Sequence, residues 1–293
     1  MTAPILAAAT FCIAATAIHV ASIVVAILRF RGSALGEAPS ARKFPPVSLV
    51  RPLCGIDNYA ADTLRSTFDL DYPRCEILFC VASAKDPAVP LVEALMAQHP
   101  EAGAKLLVGD ERVSSNPKLN NVLKGWRAAR HEWIVIADSN VLMPRDYIGR
   151  LFASWRADTG LVASPPIGCR PQGLWAEIEC AFLNTYQARW QYLADALGFG
   201  FAQGKTMLWR RADLERAGGI AALAREVAED AARPRWCAPP GSRCGSSTGR
   251  SRSRSATVAP PTYGAGNCAG RGCVARASSP ISSPRRSPAA CCR

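Results

Sequence analysis

The sequence predicts an α/β protein, a mostly parallel sheet covered by helices on both faces, preceded by one membrane-spanning helix and followed by a disordered tail. Three observations carry this. Between residues 47 and 194, short apolar runs alternate with stretches whose apolar residues recur at helical spacing, the βαβα pattern of a parallel sheet. Residues 4–28 are almost wholly apolar, and from Arg233 onward the chain turns to Arg, Ser, Pro and Gly, with one Ile and neither Leu nor Phe. Such a tail lacks the apolar surface needed to offset the entropy of folding.

At ~1.5 Å rise per residue, the helix over 4–28 spans a ~30 Å hydrocarbon core. Nothing basic precedes it, whereas Arg29, Arg31, Arg42 and Lys43 follow. That order argues against a cleaved signal peptide and places the remainder on the cytoplasmic side. His19, the one strongly polar side chain in the span, reads as a neutral, locally hydrogen-bonded passenger. Residues 29–46, with Gly32, Gly36, Pro39, Pro45 and Pro46, form a linker to a domain over 47–232. Val47–Val50 reads as a strand, Asp57–Phe68 as a helix, and Glu76–Val81 as a second strand. A helix follows from Pro87 to His99 with Leu91, Leu95 and Met96 on one face. Lys105–Val108 and Trp133–Ala137 continue the strands, with Leu119–Arg130 helical between them. Leu161–Ala163 is a further strand and Leu174–Ala194 one long, aromatic-rich helix.

The net charge of +12 suggests a nucleic-acid binder until it is mapped. Eleven arginines and no Asp, Glu or Lys lie in 233–293, so the first 232 residues are close to neutral and no nucleic-acid partner is expected. Six of the twelve cysteines share that tail; the others, such as Cys75 and Cys80, read as buried free thiols of a reducing compartment, without zinc or CxxC spacing.

Three carboxylates stand out. Trp133–Ala137 runs straight into Asp138-Ser139-Asn140, and in open α/β sheets ligands bind beyond the carboxyl ends of strands. Asp138 suits a hard cation such as Mg²⁺ or Mn²⁺; its plainer role is to form an Asx-turn. Asp86, before Pro87, is equally an N-cap with proline at the first helical position. Asp230, after Glu229, is by itself a residue of a solvated helix face. Gly218-Gly219 reads as a helix C-cap and turn.

Taken together, the motifs of residues 47–232 resemble the ceramide glucosyltransferases, a membrane-bound branch of the inverting, metal-dependent GT-A glycosyltransferases. The resemblance lies in Val50-Arg51-Pro52-Leu53-Cys54-Gly55-Ile56-Asp57, Leu70-Asp71-Tyr72-Pro73, Glu76–Val81, Asn116-Pro117-Lys118-Leu119-Asn120-Asn121, Ala137–Asn140, Arg216–Gly219 and Ala228-Glu229-Asp230. It also lies in the 52-residue and 92-residue separations of the three acids. It implies a GT-A-type Rossmann-like sheet, with Asp86 in the nucleotide pocket, Asp138 holding the metal and the diphosphate, Lys118 near the uridine diphosphate, and Asp230 the base that deprotonates the acceptor hydroxyl. The implied reaction moves glucose from UDP-glucose to the primary hydroxyl of ceramide or a related lipid with inversion, using Mg²⁺ or Mn²⁺. A hopanoid or other lipid acceptor with UDP-N-acetylglucosamine is the enzymatic alternative, and a non-catalytic membrane protein whose basic tail binds RNA or anionic lipid is the alternative of another class.

Two departures qualify the resemblance. Gln187-Ala188-Arg189 stands where animal relatives carry His-Pro-Arg. The family's Gln/Arg-x-x-Arg-Trp motif and its later membrane helices have no counterpart, since Arg235-Trp236 follows Asp230 too closely to fill that place. The expectation is therefore a transferase domain truncated or frame-shifted near Arg233.

Overall fold

The computed structural model describes residues 2–34, 45–57, 59–114, 116–155, 159–197, 200–216, 218–220 and 254–255. Asp230, most of the linker and nearly all of the 233–293 tail, where the expected frame change falls, lie outside the described residues.

Helix α1 (Ala3–Ala34) leads into a sheet built from β1 (Val47–Pro52), β2 (Cys75–Val81), β3 (Lys105–Val108), β4 (Trp133–Ala137), β5 (Leu161–Ala163) and β6 (Thr206–Arg210). Its order is β3-β2-β1-β4-β6-β5, with the two-residue β7 (Arg254–Ser255) parallel to β5 at the edge. The first four strands are mutually parallel, while β6 is antiparallel to both β4 and β5. This mostly parallel sheet is what the resemblance implies. The central strands β1 and β4 read as continuous apolar runs because helices cover both faces.

Side-chain alternation assigns the two faces. Val50, Leu78, Cys80, Ile134 and Ile136 pack under α4 (Pro117–Ala128) through Leu119, Val122, Leu123 and Trp126. Gly125 lets α4 lie close, since a Cβ there would stand 2.4 Å from Val50 Cγ1 and 2.8 Å from Cys80 Sγ. On the opposite face Val47, Leu49, Val135 and Ala137 meet α5 (Tyr147–Ala153), and Ile77, Phe79 and Val81 meet α2 (Ala60–Arg65) and α3 (Ala88–Gln98).

Several sequence expectations need correction. The helix expected from Asp57 begins only at Ala60, because the Asp57 carboxylate accepts from the Tyr59 N–H and shapes a turn first. In α3 the buried row is Ala88, Val89, Val92 and Leu95, with Leu91 and Met96 at its margin. The expected helix over 174–194 is α6 (Leu174–Phe182), a π-helical turn (Leu183–Gln187) and α7 (Ala188–Ala196). His19 is not satisfied locally: its Nδ1 accepts from Arg189 at 3.0 Å, and its ring meets Trp190 edge-on at 6.0 Å. Helices α5 and α8 (Arg211–Arg216) and strand β6 were not anticipated. Cys54 is exposed, whereas burial pushes the thiols of Cys75 and Cys80 up to about 12. Gly218 and Gly219, both at positive φ, close α8 through bonds to Glu215 O and Leu214 O, the C-cap read from the sequence.

Candidate functional site

Strands β2 and β3 lie on one side of β1 and β4 on the other, so the chain reverses its winding between β1 and β4. A crevice opens at the carboxyl ends of strands at such a reversal. Asp138 is the first residue beyond β4, and Leu53-Cys54-Gly55 the first beyond β1.

The Asx-turn alternative for Asp138 does not describe what its carboxylate does. The turn after β4 is closed by main chain, Val141 N–H to Asp138 O at 3.2 Å. The carboxylate faces two ammonium groups: Lys118 Nζ lies 2.8 Å from Oδ1 and Lys205 Nζ 3.3 Å from Oδ2. Oδ1 is buried and held by charge, without an aligned hydrogen bond. Lys118 also donates to Gly204 O at 2.7 Å, and Lys205 to Asn140 Oδ1 at 3.3 Å. The two ammonium groups hold the carboxylate at the end of β4 and offer positive charge to an anion with several charged oxygens that enters the crevice.

Each of these side chains is placed by its element. Lys118 stands in the first turn of α4, where the Asn116 side chain accepts from the Lys118 and Leu119 N–H groups and Pro117 occupies the first helical position. Lys205 reaches Asp138 because β6 pairs antiparallel with β4, Ala137 opposite Thr206, which brings Lys205 O onto the Asp138 N–H at 3.0 Å. Arg51, on β1, is completely buried and holds the loop from below: one guanidinium nitrogen serves the carbonyls of Asp138, Ser139 and Val141, the other Thr63 O and Thr67 Oγ1. Burial lowers its pKa to about 10 against the opposing pull of Asp138, so it stays charged at neutral pH.

The rest of the Asn-Pro-Lys segment joins strand ends together. Asn121 Nδ2 donates to Leu53 O beyond β1 at 3.3 Å, and Lys124 Nζ to Val81 O of β2 at 2.6 Å and to Gly109 O beyond β3. Burial holds the Lys124 ammonium below its ordinary range. Asn120 accepts from the Val113 and Ser114 N–H groups.

Helix α3 starts at Ala88 with Pro87 in the cap position, one residue later than the sequence reading placed it, and the Asp86 carboxylate accepts from the Ala88 N–H at 2.8 Å from just before the cap. Both of its oxygens also accept from the Gly55 N–H at 3.0 Å. Gly55 sits at φ +69°, a conformation glycine enters without penalty, so Asp86 ties the loop after β2 to the loop after β1. Asp138 and Lys118 are thus brought together, Asp86 borders the same strand ends, and Asp230 lies outside the described residues. Sequence reasoning missed Lys205 and the positioning role of Arg51. A charged residue inside an apolar parallel strand was the available signal for Arg51. Glu179 on α6 borders the site: burial raises its carboxyl above the usual range while Lys205 pulls it down.

The family model described as Glycosyl transferase family 21 matches residues 14–247. Ceramide glucosyltransferase 1 of Caenorhabditis elegans is 32% identical over 188 residues, 64% of this chain and 40% of the relative. The ceramide glucosyltransferase of Komagataella phaffii is 41% identical over 99 residues, 32% of this chain and 19% of that protein. The chain thus spans well under half the length of the curated relatives it matches. Among solved structures, mannosyltransferase PcManGT from Pyrobaculum calidifontis, in complex with GDP-Man and Mn²⁺, aligns at a TM-score of 0.46 and 23% identity over 71% of this chain and 57% of that one. With four-fifths of its length matched by the family model, the chain belongs to glycosyl transferase family 21.

Proposed function

We propose that the domain binds UDP-glucose in the crevice between β1 and β4 and transfers glucose to the primary hydroxyl of ceramide or a related lipid with inversion. The observation that carries this reading is the Asp138 carboxylate between Lys118 and Lys205 at the end of β4, in a chain of this family. In the reaction the acceptor oxygen attacks the anomeric carbon, the bond from that carbon to the diphosphate oxygen breaks, and UDP leaves with the electron pair. Asp230 takes the acceptor's proton. Lys118 and Lys205 turn their charge to the diphosphate, Arg51 keeps the Asp138 loop in place, and Asp86 with Gly55 forms the wall against the nucleoside.

The donor set suits a hard divalent cation, Mg²⁺ or Mn²⁺. Asp138 offers a buried oxygen held by charge alone, Asn140 Oδ1 is adjacent through Lys205, and no cluster of three His, Cys, Asp or Glu occurs among the described residues. This fits an ion that takes one carboxylate and fills its shell with phosphate and water. When bound, such a cation neutralises charge developing on the leaving diphosphate. Helix α1 anchors the domain in the membrane, with the domain on the cytoplasmic side.

Calorimetry with UDP, with uridine and with added Mn²⁺ tests the site. UDP should bind more tightly than uridine, Mn²⁺ should strengthen UDP binding, and Asp138→Ala should abolish that gain. Equal affinity for UDP with and without the metal removes Asp138 from the metal role. A panel of UDP-sugars with ceramide and hopanoid acceptors in proteoliposomes tests donor and acceptor, and turnover surviving Asp230→Ala moves the base elsewhere.

A further inference from the structure

We propose that the α6–α7 segment is a second membrane contact, lying on the surface of the bilayer that α1 crosses. Leu174, Ile178, Phe182 and Tyr186 recur every fourth residue and are all exposed, with Trp175 beside them at 68% and Phe182 at 54%. A strict four-residue spacing advances about 40° per step around an α-helix of 3.6 residues per turn. The π turn over Leu183–Gln187 holds more residues per turn and reverses that drift, so Tyr186 returns over Phe182 with rings stacked at 5.0 Å. The result is one continuous apolar stripe of the kind that marks an interaction surface.

The opposite side of the segment is fastened to the domain. Asn184 exchanges two hydrogen bonds with Gly168, its Oδ1 accepting from the N–H at 2.8 Å and its Nδ2 donating to the carbonyl at 2.9 Å, and Gln191 donates to Phe201 O at 3.2 Å. The stripe therefore cannot turn inward without breaking these bonds.

Continuity with α1 identifies the occupant as lipid. Arg189 and Trp190 hold His19 of α1, and Tyr186 meets Trp190 at 6.1 Å, so the stripe runs from the apolar helix outward. His19 lies nine residues inside the Leu28 end of the span, so Arg189 and Trp190 reach into the bilayer to meet it, and an apolar row lying flat above that contact buries itself at the boundary with the acyl chains. Glu179, on the same helix, feels the charge of Lys205, so the segment lies within electrostatic reach of the proposed transfer site. A lipid acceptor then reaches the crevice without leaving the membrane.

This inference rests on α1 spanning the bilayer, and the test separates the two. p-Benzoylphenylalanine is introduced singly at Ile178, Phe182, Phe11 and Glu101 in the full chain, which is reconstituted in phosphatidylcholine vesicles, irradiated and analysed by intact mass. Phe11, exposed on α1, reports the span, and Glu101, exposed on the far side of the domain, is the control. The expected result is a mass shift of one phospholipid at positions 11, 178 and 182 and none at 101. Lipid adducts at 11 alone overturn the inference and leave the anchor standing; no adduct at 11 overturns both. Adducts at 178 or 182 to a second copy of the chain or to another segment of it also overturn the inference, because the stripe is then a protein interface.

Discussion

Arg51→Lys keeps the charge under the Asp138 loop but removes the fork that distributes it. The guanidinium serves five acceptors from two nitrogens: Thr63 O and Thr67 Oγ1 on the α2 side, and the carbonyls of Asp138, Ser139 and Val141 on the loop side. A lysine has one nitrogen with three donors, so it reaches one group and abandons at least two acceptors of the other. Thr63 O keeps the Ser66 hydroxyl and Asp138 O the Val141 N–H, so at least one of the abandoned acceptors is left unpaired; at about 1–3 kcal/mol for such a buried group, a loss of about 1–3 kcal/mol in unfolding free energy is predicted. The assay is urea unfolding of the detergent-solubilised chain followed by tryptophan fluorescence, with UDP affinity measured on protein that remains folded. Stability should fall, and UDP binding should weaken as the loop carrying Asp138 loses its support. A variant with unchanged midpoint and slope would refute the reasoning, because the five contacts would then contribute nothing beyond charge.

Glu76 has a side chain 2% exposed; burial alone would raise its carboxyl, but bonds from the Arg130 N–H, Ser48 and the Arg130 guanidinium outweigh that and hold it below the usual range. A depressed folded pKa stabilises above the unfolded value of about 4.3 and loses that contribution as pH falls through the folded value. Glu76→Gln should therefore cost about 1–3 kcal/mol at neutral pH and flatten the acid limb of a stability–pH curve, while an unchanged acid limb assigns the acid sensitivity elsewhere. Gly125→Ala sets a methyl 2.4 Å from Val50 Cγ1 and should cost about 1–3 kcal/mol by lifting α4 from the sheet; a neutral result in thermal unfolding shows that the helix shifts freely. Lys205→Met should lower affinity for UDP about tenfold while leaving uridine nearly unaffected, as loss of one charged contact to the diphosphate predicts, and an equal loss for both ligands points to distortion of the loop instead.

What was legible in the sequence follows from how locally each feature is determined. Strands β1, β2 and β4 are buried on both faces and read as apolar runs, and Asp138 is found by walking one residue off the end of such a run. Asn116-Pro117 announces the start of α4, and with it the position of Lys118, because cap and proline act within one turn. The break at Leu183–Gln187 was invisible because Phe182 and Tyr186 on either side of its start stand four residues apart, a spacing an α-helix also carries. Strand β6, Thr206–Arg210, is a brief apolar run closed by polar residues at both ends, and its return beside β4 is a decision of the sheet. Lys205 inherits that decision. Nothing near it in sequence marks it as a partner of Asp138; the antiparallel register that sets Thr206 opposite Ala137 does so, and a one-residue slip would reverse the face each β6 side chain presents and unseat the Lys205 contact. The site therefore depends on β4–β6 pairing as much as on its acids, and a register-breaking proline at Met207, whose Cα stands opposite Ile136, should abolish UDP binding through Lys205 and Asp138 together.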